Sequence, residues 1–230
     1  MPSMSVMDSI LVADRTTCGI NWSASIFVPE NKTLTGAAYL IGSVSFAVIT
    51  SKLFQLPDPR TYGSGNPGAT NVLRSGNKAA AVLTLLGDAL KGCLPVWLAQ
   101  HFSPAEAAPL AMALAGALAV IGHMLPVFHR FKGGKGVATA LGALFGFSVY
   151  LGLGAISTWL IIALFFRMSS FASILSALFA PFATWMLFGA THPFFASVAV
   201  VAVLLIYRHR QNIKNILAGT ESKIGQKAKA

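Results

Sequence analysis

Residues 130–136 carry the groups in this sequence that are best suited to hold a phosphate. The cationic residues and glycines of this segment are Arg130, Lys132, Gly133, Gly134, Lys135 and Gly136. Glycines let backbone N–H groups approach an anion closely, while lysine and arginine side chains pair with phosphate oxygens. The apolar segment that follows is predicted to be a helix, whose N-terminus would add a favourable dipole. The segment is therefore a candidate phosphate site, although a short positively charged loop of a membrane protein would have a similar composition.

A second set of hydrogen-bonding residues lies earlier in the chain, within residues 62–74. It consists of Ser64, Asn66, Thr70, Asn71 and Arg74. Hydroxyl and amide groups suit the hydroxyls of a polyol, and an arginine suits a phosphate oxygen. The glycines at 63, 65 and 68 have the spacing of a dinucleotide-binding fingerprint. That fingerprint needs a preceding strand in a soluble βαβ unit, and an apolar, membrane-like segment precedes it here, so an ordinary turn explains the glycines better.

The third candidate segment, residues 208–223, is basic and follows the last apolar run. If it is helical, His209, Asn212 and Ile216 share one face, because their spacings are three and four. An imidazole titrates near neutral pH, so His209 is a candidate general base. A basic amphipathic tail lying on anionic lipid headgroups is the alternative interpretation of the same pattern.

The composition of the chain indicates that these segments connect membrane helices. Of its 230 residues, 55% are hydrophobic and only 10% are charged, against about 25% charged in a soluble domain. The net charge of +10 is unevenly placed along the chain, which favours membrane topology and anionic ligands over nucleic acid. Cys18 and Cys93 are expected at different membrane depths, so no disulfide is predicted, and two cysteines are too few ligands for a metal site.

Seven apolar segments predict an all-α, polytopic membrane helix bundle with seven transmembrane helices. They are residues 36–54, 79–101, 105–125, 137–150, 152–166, 169–189 and 193–207. The fourth and fifth are shorter than the about 20 residues that a span needs, and only Gly152 and Gly154 mark the break between them, so six spans is the competing count. Residues 1–35 are predicted to be a loosely ordered tail, residues 36–210 the membrane domain, and residues 211–230 a cytoplasmic segment.

The distribution of basic residues predicts how the bundle is oriented. With seven spans, 13 of the 17 lysines and arginines fall at residues 55–78, 126–136 and 208–230 and at Arg167. The loops at the opposite ends of the spans hold none of them. The positive-inside rule then places the N-terminus outside and the C-terminus in the cytoplasm, with all three polar motifs on the cytoplasmic side.

Two charged residues lie within the second predicted span. Asp88 and Lys91 are three residues apart and would share one face of a helix. Charged side chains inside a membrane usually pair or face a cavity. We therefore predict an ion pair that helps to hold the bundle together, rather than a direct catalytic role.

Taken together and in order, the three motifs resemble those of the acyl-phosphate:glycerol-3-phosphate acyltransferase family (PlsY) of bacterial inner membranes. The resemblance covers residues 36–223. It rests on residues 63–74, residues 122–139, and the run His209-Arg210-x-Asn212-Ile213 with Gly219 and Glu221. The run Asp88-x-x-Lys91-Gly92 also resembles the family's second helix. His129 and Arg130 depart from the pattern, since they stand where the family often has a small residue.

The resemblance implies transfer of a fatty acyl group from a long-chain acyl phosphate to the sn-1 hydroxyl of glycerol 3-phosphate. The products would be lysophosphatidic acid and inorganic phosphate, in the first step of phospholipid synthesis. It further implies no cofactor or metal, a multi-pass location in the bacterial inner membrane with the active site facing the cytoplasm, and functional coupling to the enzyme that makes acyl phosphate. Membrane lipid and the two substrates would be the partners, and nucleic acid would not.

The resemblance also implies which residues form the site. By their positions in the motifs they are Ser64, Asn66, Thr70, Asn71, Arg74, Lys132, Gly133, Gly134, Lys135, Gly136, His209 and Asn212. Catalytic roles would fall to Lys132, Lys135 and His209, and which lysine serves which substrate stays open. The phosphate of the acceptor is the alternative to His209 as the proton acceptor. The three glycines would offer backbone N–H groups to the acyl phosphate.

The competing hypothesis is a membrane transporter of an organic phosphate. Cationic loops would then select the anion, and broken helices would line its path. Transporter sites lie near the bilayer midplane and often come with internal repeats. No repeat is found in this sequence, and its polar motifs cluster at one predicted surface.

Overall fold

The computed structural model describes residues 29–226, and all regular structure in this range is helical. The helices are α1 (Pro29–Ser43), α2 (Phe46–Leu53), α3 (Ala69–Leu73), α4 (Lys78–Phe102), α5 (Ala108–Met124), α6 (Val137–Phe147), α7 (Val149–Phe166), α8 (Ser169–Phe188), α9 (Pro193–Arg208) and α10 (Arg210–Leu217), with a 3₁₀ turn at Val127–His129. The all-α prediction is therefore confirmed over this range. The predicted tail falls largely on residues 1–28, outside the described residues, and α1 already begins at Pro29.

Helix length and composition support between four and six membrane spans. Four helical segments are long and apolar enough to cross a bilayer, namely Lys78–Phe102, Ala108–His129, Val149–Phe166 and Ser169–Phe188. Two bent pairs would each make one more span, because α1 and α2 meet at 41° and α9 and α10 at 56°. The remaining apolar helix, α6, has 11 residues, well short of the about 20 that a span needs. Each of the seven predicted segments contains a helix, but these lengths do not establish seven crossings.

Two predicted helix boundaries were wrong, and local hydrogen bonds explain why. The break between the fourth and fifth segments lies at Ser148, whose hydroxyl accepts from the N–H of Tyr150 at 3.2 Å. Gly152, predicted to mark that break, lies inside α7 and packs against Phe145. At the start of α5 the carbonyl of Pro104 closes a turn, so the helix begins at Ala108 rather than at residue 105, where the third predicted segment starts.

Small residues allow the helices of the bundle to approach closely. A Cβ on Gly142 of α6 would lie 1.9 Å from the carbonyl oxygen of Ala89 in α4. A Cβ on Gly42 of α1 would lie 2.2 Å from the carbonyl oxygen of Ala119 in α5. Lipid tails are as apolar as side chains, so association of membrane helices depends on this kind of close packing. The buried core is accordingly rich in alanine and valine.

The segment between α5 and α6 folds back into the bundle, which accounts for the short α6. The N–H of Gly134 donates to the carbonyl of His123 at 3.1 Å, so the loop returns alongside the last turn of α5. Gly136, with a φ of 85°, lies against Val120 and Met124. The helix α6 therefore begins inside the bundle rather than at its surface. Irregular backbone at such a depth is tolerated where it is buried in protein or lines a cavity.

A buried network of charged and polar groups connects α4, α5 and the break between α1 and α2. Lys91 Nζ lies 2.8 Å from Asp88 Oδ1, which confirms the predicted ion pair. The same ammonium donates to the carbonyl of Val44, at the break after α1. His123 Nδ1 lies 3.6 Å from Asp88 Oδ1, and all three side chains are buried. The network therefore holds together the helices that support the loop at residues 130–136.

Candidate functional site

The three motif segments meet at one end of the bundle, although up to about 150 residues separate them in sequence. Lys135 Nζ donates to Asn212 Oδ1 at 2.6 Å and thereby joins the second motif to the third. The guanidinium of Arg74, in the first motif, donates to the hydroxyl of Ser222, 148 residues later. The guanidinium of Arg208 donates to the carbonyls of Gly133 and Gly134 at 2.7 and 2.9 Å.

A cavity of about 300 Å³ extends from this meeting point into the bundle. Its outer end is polar and is lined by Ser64, Asn66, Thr70, Asn71, Arg74, Lys135, Gly136, His209, Asn212 and Glu221. Its inner end is lined mainly by apolar side chains of α5 to α9, among them Val120, Leu144, Phe147, Ile156, Ala180 and Val198. A cavity with this division of surface suits an elongated ligand that has a charged head and an apolar tail.

Asn71 fixes the shape of the first motif. Its side-chain oxygen accepts from the N–H of Ser64 at 3.0 Å, and its side-chain nitrogen donates to the carbonyls of Pro59 and Tyr62 at 2.7 and 3.1 Å. Gly63 has a φ of 59°, and a Cβ there would overlap the oxygen of Asn71. These contacts orient the loop so that Ser64 lines the polar end of the cavity.

Lys135 is the cation that the fold-back loop contributes to the cavity. Burial lowers the pKa of its ammonium to about 8, and the positive charges of Arg74 and Arg208 act in the same direction. The carboxylate of Glu221 opposes this shift. An amine with a pKa of about 8 is still mostly protonated at neutral pH. Lys135 therefore presents a partly desolvated positive charge to whatever anion enters the cavity.

Glu221 joins the third motif to α8, and the sequence reasoning gave it no role. Its Oε1 accepts from Asn212 Nδ2 at 2.7 Å and from the hydroxyl of Ser170 at 2.6 Å. Because the carboxylate orients the amide of Asn212, that amide can present its oxygen to Lys135. One available signal in the sequence was that Glu221 is the only acidic residue within the basic segment 208–230.

His209 lies at the bend between α9 and α10, where it is 2% exposed. Its Nδ1 is 2.8 Å from the carbonyl oxygen of Leu205. Because a carbonyl only accepts, Nδ1 carries the proton and Nε2 keeps a lone pair. Burial lowers the pKa of the imidazole to about 4, with the nearby charge of Lys135 as the next cause. His209 is therefore neutral at physiological pH and acts as a hydrogen-bond acceptor.

The remaining predicted site residues divide between two faces of the fold-back loop. Lys132, Gly133 and Gly134 do not line the main cavity; they border a small cavity of about 10 Å³ on the other side, beside Arg60 and His129. The N–H of Gly134 is already bonded to the carbonyl of His123. The structure thus brings Lys135 and Gly136 to the polar end of the main cavity and leaves Lys132, Gly133 and Gly134 behind them.

The chain is similar to known proteins over most of its length. A family model described as glycerol-3-phosphate acyltransferase matches residues 33–219. The glycerol-3-phosphate acyltransferase of Ralstonia nicotianae is 62% identical over 194 residues, which is 84% of this chain and 93% of that protein. The corresponding protein of Cupriavidus taiwanensis is 59% identical over 194 residues, 84% of this chain and 96% of that protein.

Solved structures give the same result at the level of the fold. The crystal structure of PlsY (YgiH), an integral membrane glycerol 3-phosphate acyltransferase in its glycerol 3-phosphate form, superposes with a TM-score of 0.77 at 39% identity, over 85% of this chain and 96% of that chain. The lysophosphatidic acid form of PlsY superposes with a TM-score of 0.76 at 38% identity, over 85% of this chain and 95% of that chain. The chain thus belongs to the glycerol-3-phosphate acyltransferase family of integral membrane proteins.

Proposed function

We propose that this protein transfers a fatty acyl group from acyl phosphate to the sn-1 hydroxyl of glycerol 3-phosphate. The products are lysophosphatidic acid and inorganic phosphate, and the reaction is the first step of phospholipid synthesis. Family membership supports this proposal, as do the relative's glycerol 3-phosphate and lysophosphatidic acid forms. The main observation in favour of this proposal is that one continuous cavity has a cationic outer end and an apolar inner end.

Glycerol 3-phosphate binds at the polar end in this proposal. The guanidinium of Arg74 holds its phosphate, since an arginine matches phosphate oxygens in charge and geometry. Ser64 and Asn212 offer a hydroxyl and an amide to the glycerol hydroxyls, and both line the cavity beside Arg74. His209 accepts a hydrogen bond through the lone pair of Nε2.

The acyl phosphate binds with its phosphate at Lys135 and Gly136 and with its acyl chain along the apolar end. We assign the direct phosphate contact to Lys135 rather than Lys132, because only Lys135 lines this cavity. Leu85 and Leu160 border the cavity while 45% and 47% exposed on the outer surface. Such a rim lets the acyl chain enter sideways from the membrane.

The reaction itself needs little chemical assistance from the protein. The hydroxyl of the acceptor attacks the acyl carbonyl carbon, the C–O bond to phosphate breaks, and the phosphate leaves with the electron pair. Because this leaving group is stable, catalysis rests on positioning and on stabilising negative charge. With a pKa of about 4, His209 is a weak base. We therefore assign it to orienting the hydroxyl, whose proton passes to a phosphate oxygen.

We further propose that the site faces the cytoplasm of a bacterial inner membrane, with seven spans, the N-terminus outside and the C-terminus inside. The segments at residues 125–136 and 209–226 lie at one end of the bundle, and both are rich in lysine and arginine. The N–H of Ile224 donates to the carbonyl of Arg167 at 2.6 Å, so the α7–α8 connection lies there as well. This pattern agrees with the positive-inside rule.

The direct experiment uses purified protein, palmitoyl phosphate and glycerol 3-phosphate, without nucleotide or coenzyme A. We expect release of inorganic phosphate together with formation of lysophosphatidic acid. Phosphate release that does not depend on glycerol 3-phosphate would contradict the assignment of the acceptor. Uptake of labelled glycerol 3-phosphate into protein-loaded liposomes, without turnover, would favour a transporter instead.

A further inference from the structure

Three residues from three helices line the cavity far from the loops that form its polar end. Gly116 of α5, Phe147 at the end of α6 and Ser197 of α9 line it there. The hydroxyl of Ser197 donates to the carbonyl of Ala113 at 2.7 Å. The hydroxyl proton of Ser197 is thus already bonded within the protein. The surface of the cavity at this end is formed mainly by Phe147 and the backbone of Gly116.

An aromatic cluster behind Phe147 prevents the ring from moving away from the cavity. The rings of Phe147 and Phe194 are stacked, with centroids 4.5 Å apart and planes 15° from parallel. Phe188 meets Phe194 edge-on at 5.3 Å, and His192 packs against Phe194 at 4.4 Å. Stacked and edge-to-face rings stabilise each other beyond their buried area. The cluster joins the ends of α6 and α8 to the start of α9 and gives the cavity a rigid end.

Gly116 makes room for the edge of the Phe147 ring. A Cβ on Gly116 would lie 2.6 Å from Cζ of Phe147 and 3.1 Å from its Cε1. Real Cβ atoms do not approach a ring so closely, so an alanine here must displace it. Because Phe194 blocks the far side, the displaced ring moves toward the cavity and shortens it.

We propose that Gly116 and Phe147 form a floor that sets the longest acyl chain the enzyme accepts efficiently. The proposal rests on the acyltransferase reaction proposed above and adds its chain-length specificity. From Gly136 to Phe147, α6 advances about 16 Å at 1.5 Å per residue, which gives the acyl chain a channel of limited depth. A chain that fits buries each of its methylenes, whereas a longer one must displace the floor or leave part of its tail outside the cavity.

The test compares acyl phosphates of increasing length, from lauroyl through myristoyl and palmitoyl to stearoyl phosphate, at saturating glycerol 3-phosphate. One methylene in an apolar pocket changes kcat/KM by about tenfold or more. Gly116→Ala should therefore lower kcat/KM for palmitoyl relative to lauroyl phosphate by at least about tenfold, with lauroyl turnover retained. Phe147→Ala should have the opposite effect and raise kcat/KM for stearoyl phosphate relative to palmitoyl phosphate. If Gly116→Ala cannot be purified folded, the opposite shift in Phe147→Ala still tests the proposal.

Gly154→Ala is the matched control. Gly154 is also a helical glycine that faces a phenylalanine ring, with its would-be Cβ 3.1 Å from Phe179, but it does not line the cavity. Its length profile should equal that of the unaltered protein. If kcat/KM depends on chain length in the same way in Gly116→Ala, Phe147→Ala and the unaltered protein, the two residues do not form a floor. That result is expected if the acyl chain leaves the cavity sideways past Leu85 and Leu160. The absence of turnover by the unaltered protein at every length would instead overturn the proposed function itself.

Discussion

At the scale of single residues, the cations of the site are held by neutral partners. Lys135 donates to the amide oxygen of Asn212, and Arg74 donates to the hydroxyl of Ser222. A neutral acceptor fixes the position of a cation without cancelling its charge. The polar end of the cavity therefore keeps positive charge available for anionic ligands. This matters for the proposed reaction, because two phosphate groups must lie near each other there despite their repulsion.

Removal of one of these polar groups should weaken the binding of glycerol 3-phosphate. We expect Arg74→Ala to raise its KM by about tenfold to a hundredfold, since a hydrogen bond to a charged group contributes about 1.5–3 kcal/mol. Asn212→Ala should raise it by about two- to tenfold, because a hydrogen bond between neutral groups contributes about 0.5–1.5 kcal/mol. Initial-rate kinetics at fixed acyl phosphate measure this change. Arg210→Ala is the control, because Arg210 is exposed and lies over the ring of Tyr207 at 4.6 Å. An unchanged KM in the two site variants would remove both residues from the site.

The depressed pKa of Lys135 predicts the pH dependence of the reaction. The protonated form binds the anion and predominates below the pKa of about 8. The value of kcat/KM for acyl phosphate, which reports the free enzyme, should therefore decline above that pH, toward tenfold per unit. In Glu221→Gln this decline should begin at lower pH, because the carboxylate of Glu221 raises the pKa of Lys135. If kcat/KM has the same pH dependence in both proteins, Lys135 is not the group that binds the phosphate of the acyl donor. Rates measured without protein correct for spontaneous hydrolysis of acyl phosphate.

At the scale of elements, the loop before α6 depends on groups buried beneath it. The carbonyl of His123 receives the N–H of Gly134, and the side chain of His123 lies beside Asp88. Lys91 extends from Asp88 to the carbonyl of Val44, at the break between α1 and α2. A charge pair taken out of water is costly unless both members stay paired. The buried pair thus contacts both the fold-back loop, through His123, and the break between α1 and α2, through Val44.

Removing one member of the buried pair should destabilise the protein strongly. In Asp88→Ala the ammonium of Lys91 loses its carboxylate partner, and breaking a buried pair in this way costs about 3–5 kcal/mol. Since 1 kcal/mol shifts Tm by about 2–4 °C in a protein of this size, thermal unfolding in detergent should show a clear decrease. The double variant Asp88→Leu with Lys91→Met removes both charges and should recover part of the loss. A single variant with an unaltered Tm would rule out this role for the pair.

The elements differ in how far the sequence could predict them. The long apolar runs of α4, α5 and α8 were evident, because hydrophobic length is a local property. The cap at Ser148 that separates α6 from α7 was missed, because the break was predicted only from the nearby Gly152 and Gly154. The return of residues 131–136 into the bundle depends on contacts with α5, which no local pattern encodes.

At the scale of the whole molecule, the sequence motifs indicated which loops could come together. They did not indicate which side chains of each loop would face the cavity. Lys132 and Lys135 looked equivalent in the sequence, and the fold-back turns only Lys135 toward the main cavity. Glu221 belonged to the motif that carries the resemblance but was assigned no role, although it accepts from Asn212 and Ser170. Both differences arise from tertiary contacts between distant segments. Charge distribution, by contrast, is a property of the sequence, and it supports the proposed orientation.

The orientation can be tested with two exposed threonines at opposite ends of the bundle. Thr191 lies between α8 and α9, whereas Thr220 follows α10 near the polar end of the cavity. In a variant with Cys18 and Cys93 replaced by serine, a membrane-impermeant thiol reagent should label Thr191→Cys in cells with a permeabilised outer membrane. Thr220→Cys should react only after the inner membrane is opened. Labelling of both threonine variants in intact spheroplasts would contradict the proposed topology.

The contact between Arg74 and Ser222 has a consequence for biosynthesis. The first motif leaves the ribosome long before the partners of its arginine are translated, since 148 residues separate the two. Asn212 and Glu221, which orient Lys135, are also translated after α9, the last helix that lines the apolar end of the cavity. A chain that has been translated only as far as α9 therefore carries Arg74 and Lys135 without the partners that hold these two cations in place. A chain terminated at that point is therefore expected to enter the membrane with these two cations unordered.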